Sequence, residues 1–282
     1  MSVQDLARSL VAVGSTKVSD DGDDGIYTLS VRDGYLVEKH WLGDTIQNEN
    51  VIASDANDNA TASYLLTMET RLVIFIDQDH AIRCYSYDDD IEEWEEVPLA
   101  SVRGIETSPD SKVSAIVGLD GGLAISYQDA NGCLAVIINA GGEEWKTFRH
   151  LQGKPMLGTP QVLEVIDDTM YLFYVERDVG ISYLAFDPHA GAWQANSVPN
   201  TKFDTIIDNF IVVKDFDTGN FQSYILTGGS LWSVNGEEKT FLGNVGTNGK
   251  LIPSDNAQAG FSVKWRGARK VRVSRRKITI WY

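Results

Sequence analysis

Residues 73–87 read VIFIDQDHAIRCYSY. Two runs rich in Val, Ile, Phe and Tyr flank the polar turn Asp77-Gln78-Asp79-His80, which reads as a β-hairpin. The same pattern stands at 27–41 (YTLSVRDGYLVEKHW), 125–138 (ISYQDANGCLAVII) and 172–186 (LFYVERDVGISYLAF). A further strand signal precedes each hairpin. It reads LVAVG from Leu10, TASYLLT from Thr61, KVSAIVG from Lys112, QVLEVI from Gln161, NFIVVKD from Asn209 and QAGFSVKW from Gln258. These runs are offset by 51, 51, 49, 48 and 49 residues. A fourth strand follows several hairpins and opens near a tryptophan: Trp94, Trp145 and Trp193.

Four strands in a unit of about 49 residues is the blade of a β-propeller. The spacing predicts an all-β, six-bladed propeller of four-stranded antiparallel blades, one domain over residues 1–282. First strands are expected near Val11, Tyr64, Ala115, Leu163, Val212 and Val263. No stretch carries a convincing helical period, and Leu6–Val11 is the best helical candidate. The sixth unit (FSVKW, KVRVS, KITIWY) is one strand short, so residues 2–9 are expected to cover or supply that edge. Residues 264–277 of that unit hold eight basic and no acidic side chains, and ring closure should bring them to Asp20, Asp21, Asp23 and Asp24.

Composition bounds the function. Apolar residues make up 43% and charged residues 23%, as in ordinary globular proteins. Forty acidic against 24 basic residues give a net charge of -16, which repels phosphate backbones and anionic lipid, so neither nucleic acid nor membrane is an expected partner. The first thirty residues lack the basic head and apolar stretch of a signal peptide. They predict a cytoplasmic protein, or a secreted one if a leader has been removed. Two cysteines, Cys84 and Cys133, are read as buried free thiols. A G-x-S-x-G elbow, a P-loop and a dinucleotide fingerprint are absent. No metal and no cofactor is expected: the acidic run from Asp20 places Val31 where a calcium loop needs its Glu. The cluster from Asp88 to Glu96 reads as a solubilising rim.

The hairpins Val73–Cys84 and Ile125–Val136 resemble those of the fungal fucose-specific lectins, six-bladed propellers of similar length. In that family an Arg and a Glu of one blade grip the sugar and an aromatic closes the pocket. The Arg position falls here on Ile26, Leu72, Ala124 and Tyr171, and the Glu position on Glu38, Cys84, Val136 and Tyr183. Glu38 alone fits, with Ile26 at the matched Arg position, so the resemblance implies the fold with the fucose grip lost. The fold also resembles the fungal hetero-Diels–Alderases of tropolone–sesquiterpenoid pathways. That likeness implies a cofactor-independent coupling of a tropolone quinone methide with a humulene-type terpene in an apolar, aromatic-lined pocket. The alternative is a lectin-like carbohydrate-binding protein with altered, non-fucose specificity. For the first reading Lys214, Lys264 and His80 are the candidate catalytic donors. Trp232, Trp265, Tyr171, Tyr183 and Glu164 are the candidate substrate-binding residues, and the partner is a small apolar or aromatic ligand.

Overall fold

The fold, available as a computed structural model, describes residues 2–17, 25–59, 61–67, 70–99, 105–117, 122–139, 145–187, 189–214 and 219–255. Each repeat forms one antiparallel sheet whose strands lie in chain order. Blade 1 holds β1 (Gly14–Lys17), β2 (Ile26–Arg32), β3 (Tyr35–Leu42) and β4 (Thr45–Ala53). Blade 2 holds β5 (Ala62–Leu66), β6 (Arg71–Ile76), β7 (Ile82–Asp88) and β8 (Glu93–Glu96). Blade 3 holds β9 (Ser114–Val117), β10 (Leu123–Gln128), β11 (Leu134–Asn139) and β12 (Trp145–Phe148). Blade 4 holds β13 (Gln161–Ile166), β14 (Thr169–Glu176), β15 (Gly180–Asp187) and β16 (Ala192–Ser197). Blade 5 holds β17 (Ile207–Lys214), β18 (Phe221–Thr227), β19 (Ser230–Asn235) and β20 (Glu238–Val245), and adds a fifth strand, β21 (Leu251–Pro253).

The hairpin turns follow local chemistry. Asp33 and Gly34 take φ of 53° and 79°, the paired positive values that let a two-residue turn match strand twist. Gly180 (φ 105°) ends a turn where a Cβ would meet the Thr201 backbone at 2.6 Å, so glycine is needed there on both counts.

First strands sit innermost and touch in ring order, β1 to β5 to β9 to β13 to β17. Side chains staple them to one another's backbones. Thr61 Oγ1 accepts from Val113 N (2.9 Å), Ser63 Oγ from Ala115 N (2.7 Å) and Ser114 Oγ from Leu163 N (2.9 Å). Between neighbouring blades lie the cores. Leu29, Leu36 and Ala53 meet Tyr64, Val73 and Phe75 across the first seam, and similar apolar sets fill the next three. The blades are apolar on both faces because both faces are buried.

Five blades lie among the described residues; the expected sixth, with Val263 and the basic run 264–277, lies outside them, as do Asp20, Asp21, Asp23 and Asp24. One expectation is corrected: the run at Leu10 is not a strand. Val3–Val11 form a helix, α1, and Val11 is its last residue. Ser2 caps it: Ser2 Oγ accepts from Asp5 N (3.1 Å) while Ser2 N donates to Asp5 Oδ2 (3.2 Å). Leu6, Ala7 and Leu10 bury against Tyr224, Leu226, Leu231 and Leu242 of blade 5. On its other side Arg8 lies 4.3 Å from the Trp41 ring and bonds Gly43 O and Asp44 of blade 1. The N-terminal helix thus touches both blade 5 and blade 1, while the sixth-unit edge it is expected to cover lies outside the described residues.

Candidate functional site

The seam between blades 1 and 2 carries a buried ion pair, Glu38 with Arg71. Cross-strand pairing sets its two walls. On blade 1, Tyr27 lies opposite His40, and Glu38 lies opposite both Leu29 and Asn50. Blade 2 presents Tyr64 from β5, Arg71 from the start of β6, and the pair Tyr87 and Trp94. Glu38 is 1% exposed. Its Oε1 accepts from the Tyr64 hydroxyl and from Arg71 Nη1 (3.1 Å), and its Oε2 from Asn50 Nδ2 (3.1 Å). The Arg71 guanidinium lies 3.6 Å from the Tyr87 ring centroid and about 5.5 Å from those of Tyr27 (5.4 Å) and Trp94 (5.5 Å). Tyr27 stacks on His40 at 4.5 Å and on Tyr64 at 5.5 Å. Glu38 therefore has its arginine, from across the seam rather than from Ile26 of its own blade.

Electrostatics lock the protonation states. Burial first, and then the Glu38 charge, push the Tyr64 phenol far above its usual range, so it remains a donor. Burial works to lower the Arg71 pKa, but the neighbouring Tyr64 and Glu38 outweigh it and raise it. The Arg71 side chain keeps 19% exposure, against 1% for Glu38. Trp94 Nε1 and His40 Nε2 are buried with no hydrogen-bond partner among the described residues. A buried donor left unmet costs free energy, and at a seam it marks a place where a ligand atom would be gained cheaply.

The seam between blades 4 and 5 gathers several residues singled out from the sequence. Tyr171 and Tyr183 lie 5.7 Å apart and both pack on Phe221, at 5.5 and 5.3 Å. Glu164 stands opposite Tyr171 in the β13–β14 ladder, on the same face. Lys214 Nζ donates to Asp167 Oδ2 across this seam. Trp232 is elsewhere in blade 5, packed on Phe203 (5.8 Å) and Phe241 (5.2 Å). His80 sits at φ 63° in the β6–β7 turn, 3.3 Å from Asn57 Nδ2, on a different seam from Lys214. Lys264 and Trp265 lie outside the described residues. A separate pocket of about 310 Å³ opens on the rim between blades 4 and 5, lined by Glu176, Arg177, Lys202, Phe203, Asp204 and Ile206 among others.

Burial pushes the Glu164 carboxyl from 4.5 up to about 7. The sign follows from linkage: the folded state holds this proton more tightly, so the burial cost is absent below about pH 4.5, grows above it and is complete above about 7. Glu164→Gln removes that cost, on the order of 1–3 kcal/mol. The variant should match the wild type in thermal midpoint near pH 4.5 and exceed it at pH 8. Parallel pH profiles would mean that Glu164 is solvated.

No family model matches the chain, and no curated protein matches it. Solved structures do resemble it. AofleA from Arthrobotrys oligospora aligns at 17% identity and a TM-score of 0.64, over 84% of this chain and 73% of that one. The Aleuria aurantia lectin, described as a six-bladed β-propeller with a novel fucose recognition mode, aligns at 17% and 0.62, over 83% and 78%. SapL1 lectin in complex with α-methyl fucoside aligns at 14% and 0.57, over 86% and 80%. At these identities the likeness is one of fold.

Proposed function

We propose that this chain is a lectin-like carbohydrate-binding protein, with one sugar site at the seam between blades 1 and 2 and a specificity other than fucose. The observation that carries the reading is the buried Glu38–Arg71 pair inside a cage of Tyr27, Tyr87 and Trp94. A pyranose presents hydroxyls along its rim and C–H groups on its faces. It is held by charge-assisted hydrogen bonds on one side and an aromatic wall on the other. The next two seams instead bury Leu72, Cys84 and Ile137, then Ala124, Val136 and Leu172, and offer no such grip. The structural neighbours include lectins solved with fucosides, which supports a sugar as ligand class. Specificity differs because the arginine comes from the opposite wall and meets a bound ring from another side. The cycloaddition reading would use the aromatic seam between blades 4 and 5, and the neighbours lend it no support.

The test is calorimetry on a panel of mono- and disaccharides, followed by variants. One sugar should bind at a stoichiometry near one, while fucose and its methyl glycoside give no heat at millimolar concentration. Trp94→Phe removes the unpartnered N–H but keeps the wall, and Arg71→Lys keeps the charge but loses the fork. Each should weaken binding roughly tenfold, the value of one good hydrogen bond. A panel with no binder, or binding that both variants leave unchanged, overturns the proposal.

A further inference from the structure

We propose that Asp129, Cys133 and His150 form a binding site for a zinc-type divalent cation at the β10–β11 turn of blade 3. One ligand atom from each lies within 4.8 Å of the other two. Backbone geometry sets the three side by side. Leu151 N donates to Leu134 O (3.1 Å), which holds the chain just past β12 against the start of β11, so that His150 lies near the turn that carries Asp129 and Cys133. His150 holds φ at 52°, where the chain turns out of β12. Asp129 Oδ1 accepts from Asn131 N (2.9 Å) and Cys133 N (3.0 Å), which fixes the carboxylate and turns Oδ2 toward His150 Nδ1 at 3.7 Å.

The repeat supplies an internal control. Blade 2 builds the same turn on Asp77, whose Oδ1 accepts from Asp79 N (3.0 Å) and Ala81 N (2.8 Å). There the outer oxygen is neutralised by Arg83 at 3.1 Å. Fifty-two residues on, Ala81 becomes Cys133 and Arg83 becomes Ala135. Blade 3 has thus exchanged a fixed cation for a thiol and an imidazole around the same carboxylate. Thiolate, imidazole and carboxylate are the ligand set of zinc, and bond lengths near 2.0–2.3 Å put tetrahedral ligand atoms about 3.3–3.8 Å apart. The cluster needs a small contraction to reach that spacing. Binding would release the Cys133 proton to solvent and leave the fourth position to water, since the His150 side chain is 64% exposed.

Cobalt(II) reports on such a site directly. The reduced, tag-free chain is titrated with Co²⁺ and then with Zn²⁺. One equivalent of Co²⁺ should produce a thiolate-to-cobalt charge-transfer band in the near ultraviolet, and Zn²⁺ should abolish it. Cys133→Ser should remove the band, and His150→Ala should weaken Co²⁺ binding at least tenfold. Cys84→Ser should change neither, because Cys84 is buried in the seam between blades 2 and 3 and its thiol is pushed up to about 12 by burial. Circular dichroism on each variant separates loss of the site from loss of the fold. Absence of the band in the folded wild type, or its persistence in Cys133→Ser, overturns the proposal.

Discussion

Arg71→Met should destabilise the fold by about 3–5 kcal/mol, the cost of leaving a buried charge without its partner. Glu38 would keep Asn50 and the Tyr64 hydroxyl but lose its counter-charge in a site that is 1% exposed. In a chain of this size each kcal/mol shifts the thermal midpoint by roughly 2–4 °C, so the effect is easily read by calorimetry. Glu38→Gln/Arg71→Met removes both charges together and should recover much of the loss, with a coupling energy of the same order in the double-mutant cycle. Arg71→Lys, used above to probe sugar binding, keeps a cation near Glu38 and should fall well short of the methionine variant. A change under about 2 °C for Arg71→Met would mean that solvent reaches the pair and that the seam is no built site.

The propeller is legible in the sequence because blade repetition is a matter of local pattern. The expected first strands at Tyr64, Ala115, Leu163 and Val212 fall inside β5, β9, β13 and β17, and Trp94, Trp145 and Trp193 fall inside β8, β12 and β16. Where tertiary context decides, the pattern misleads. LVAVG reads as a strand by its β-branched residues, yet its first two residues end a helix. The signal for that helix was the Ser2–Asp5 capping box, and its reason is the open apolar face of blade 5. Cys133, expected to be buried, is only partly so, because it follows the glycine of a surface turn. The charged seam was half legible. Glu38 stands out in an apolar strand, but its partner was sought within one blade, at Ile26. Arg71 precedes a residue matched to the lectin position, Leu72. Pairing of Leu72 with Ser86 sets Arg71 over Tyr87 and points it across the seam. Which wall an arginine serves is a property of the ring, and no single-blade motif encodes it.

Among the described residues α1 joins blade 5 to blade 1, so Leu6→Ala and Leu10→Ala should each destabilise the chain by about 2–5 kcal/mol, as buried leucines do when a cavity replaces them. Leu6 is 0% and Leu10 2% exposed, and both meet the Tyr224, Leu226, Leu231 and Leu242 face of blade 5. A helix of nine residues does not hold itself together in water, so packing rather than propensity keeps it formed. Loss of either leucine therefore weakens more than one contact. Asn209 Nδ2 donates to Leu10 O (3.1 Å), Gln4 Nε2 to Gly249 O (2.8 Å), and Arg8 reaches Asp44 of blade 1. Ser2→Ala, which removes only the cap, should cost about 1 kcal/mol and serves as the scale. Hydrogen exchange locates the damage. With Leu6→Ala/Leu10→Ala, amides of β17, β18, β21, β1 and β2, strands that α1 touches, should lose protection, while β9–β12 on the far side of the ring keep theirs. Equal loss in every blade would mean that the ring unfolds as one unit and that α1 is no special joint. No loss at all would mean that closure is carried by another part of the chain.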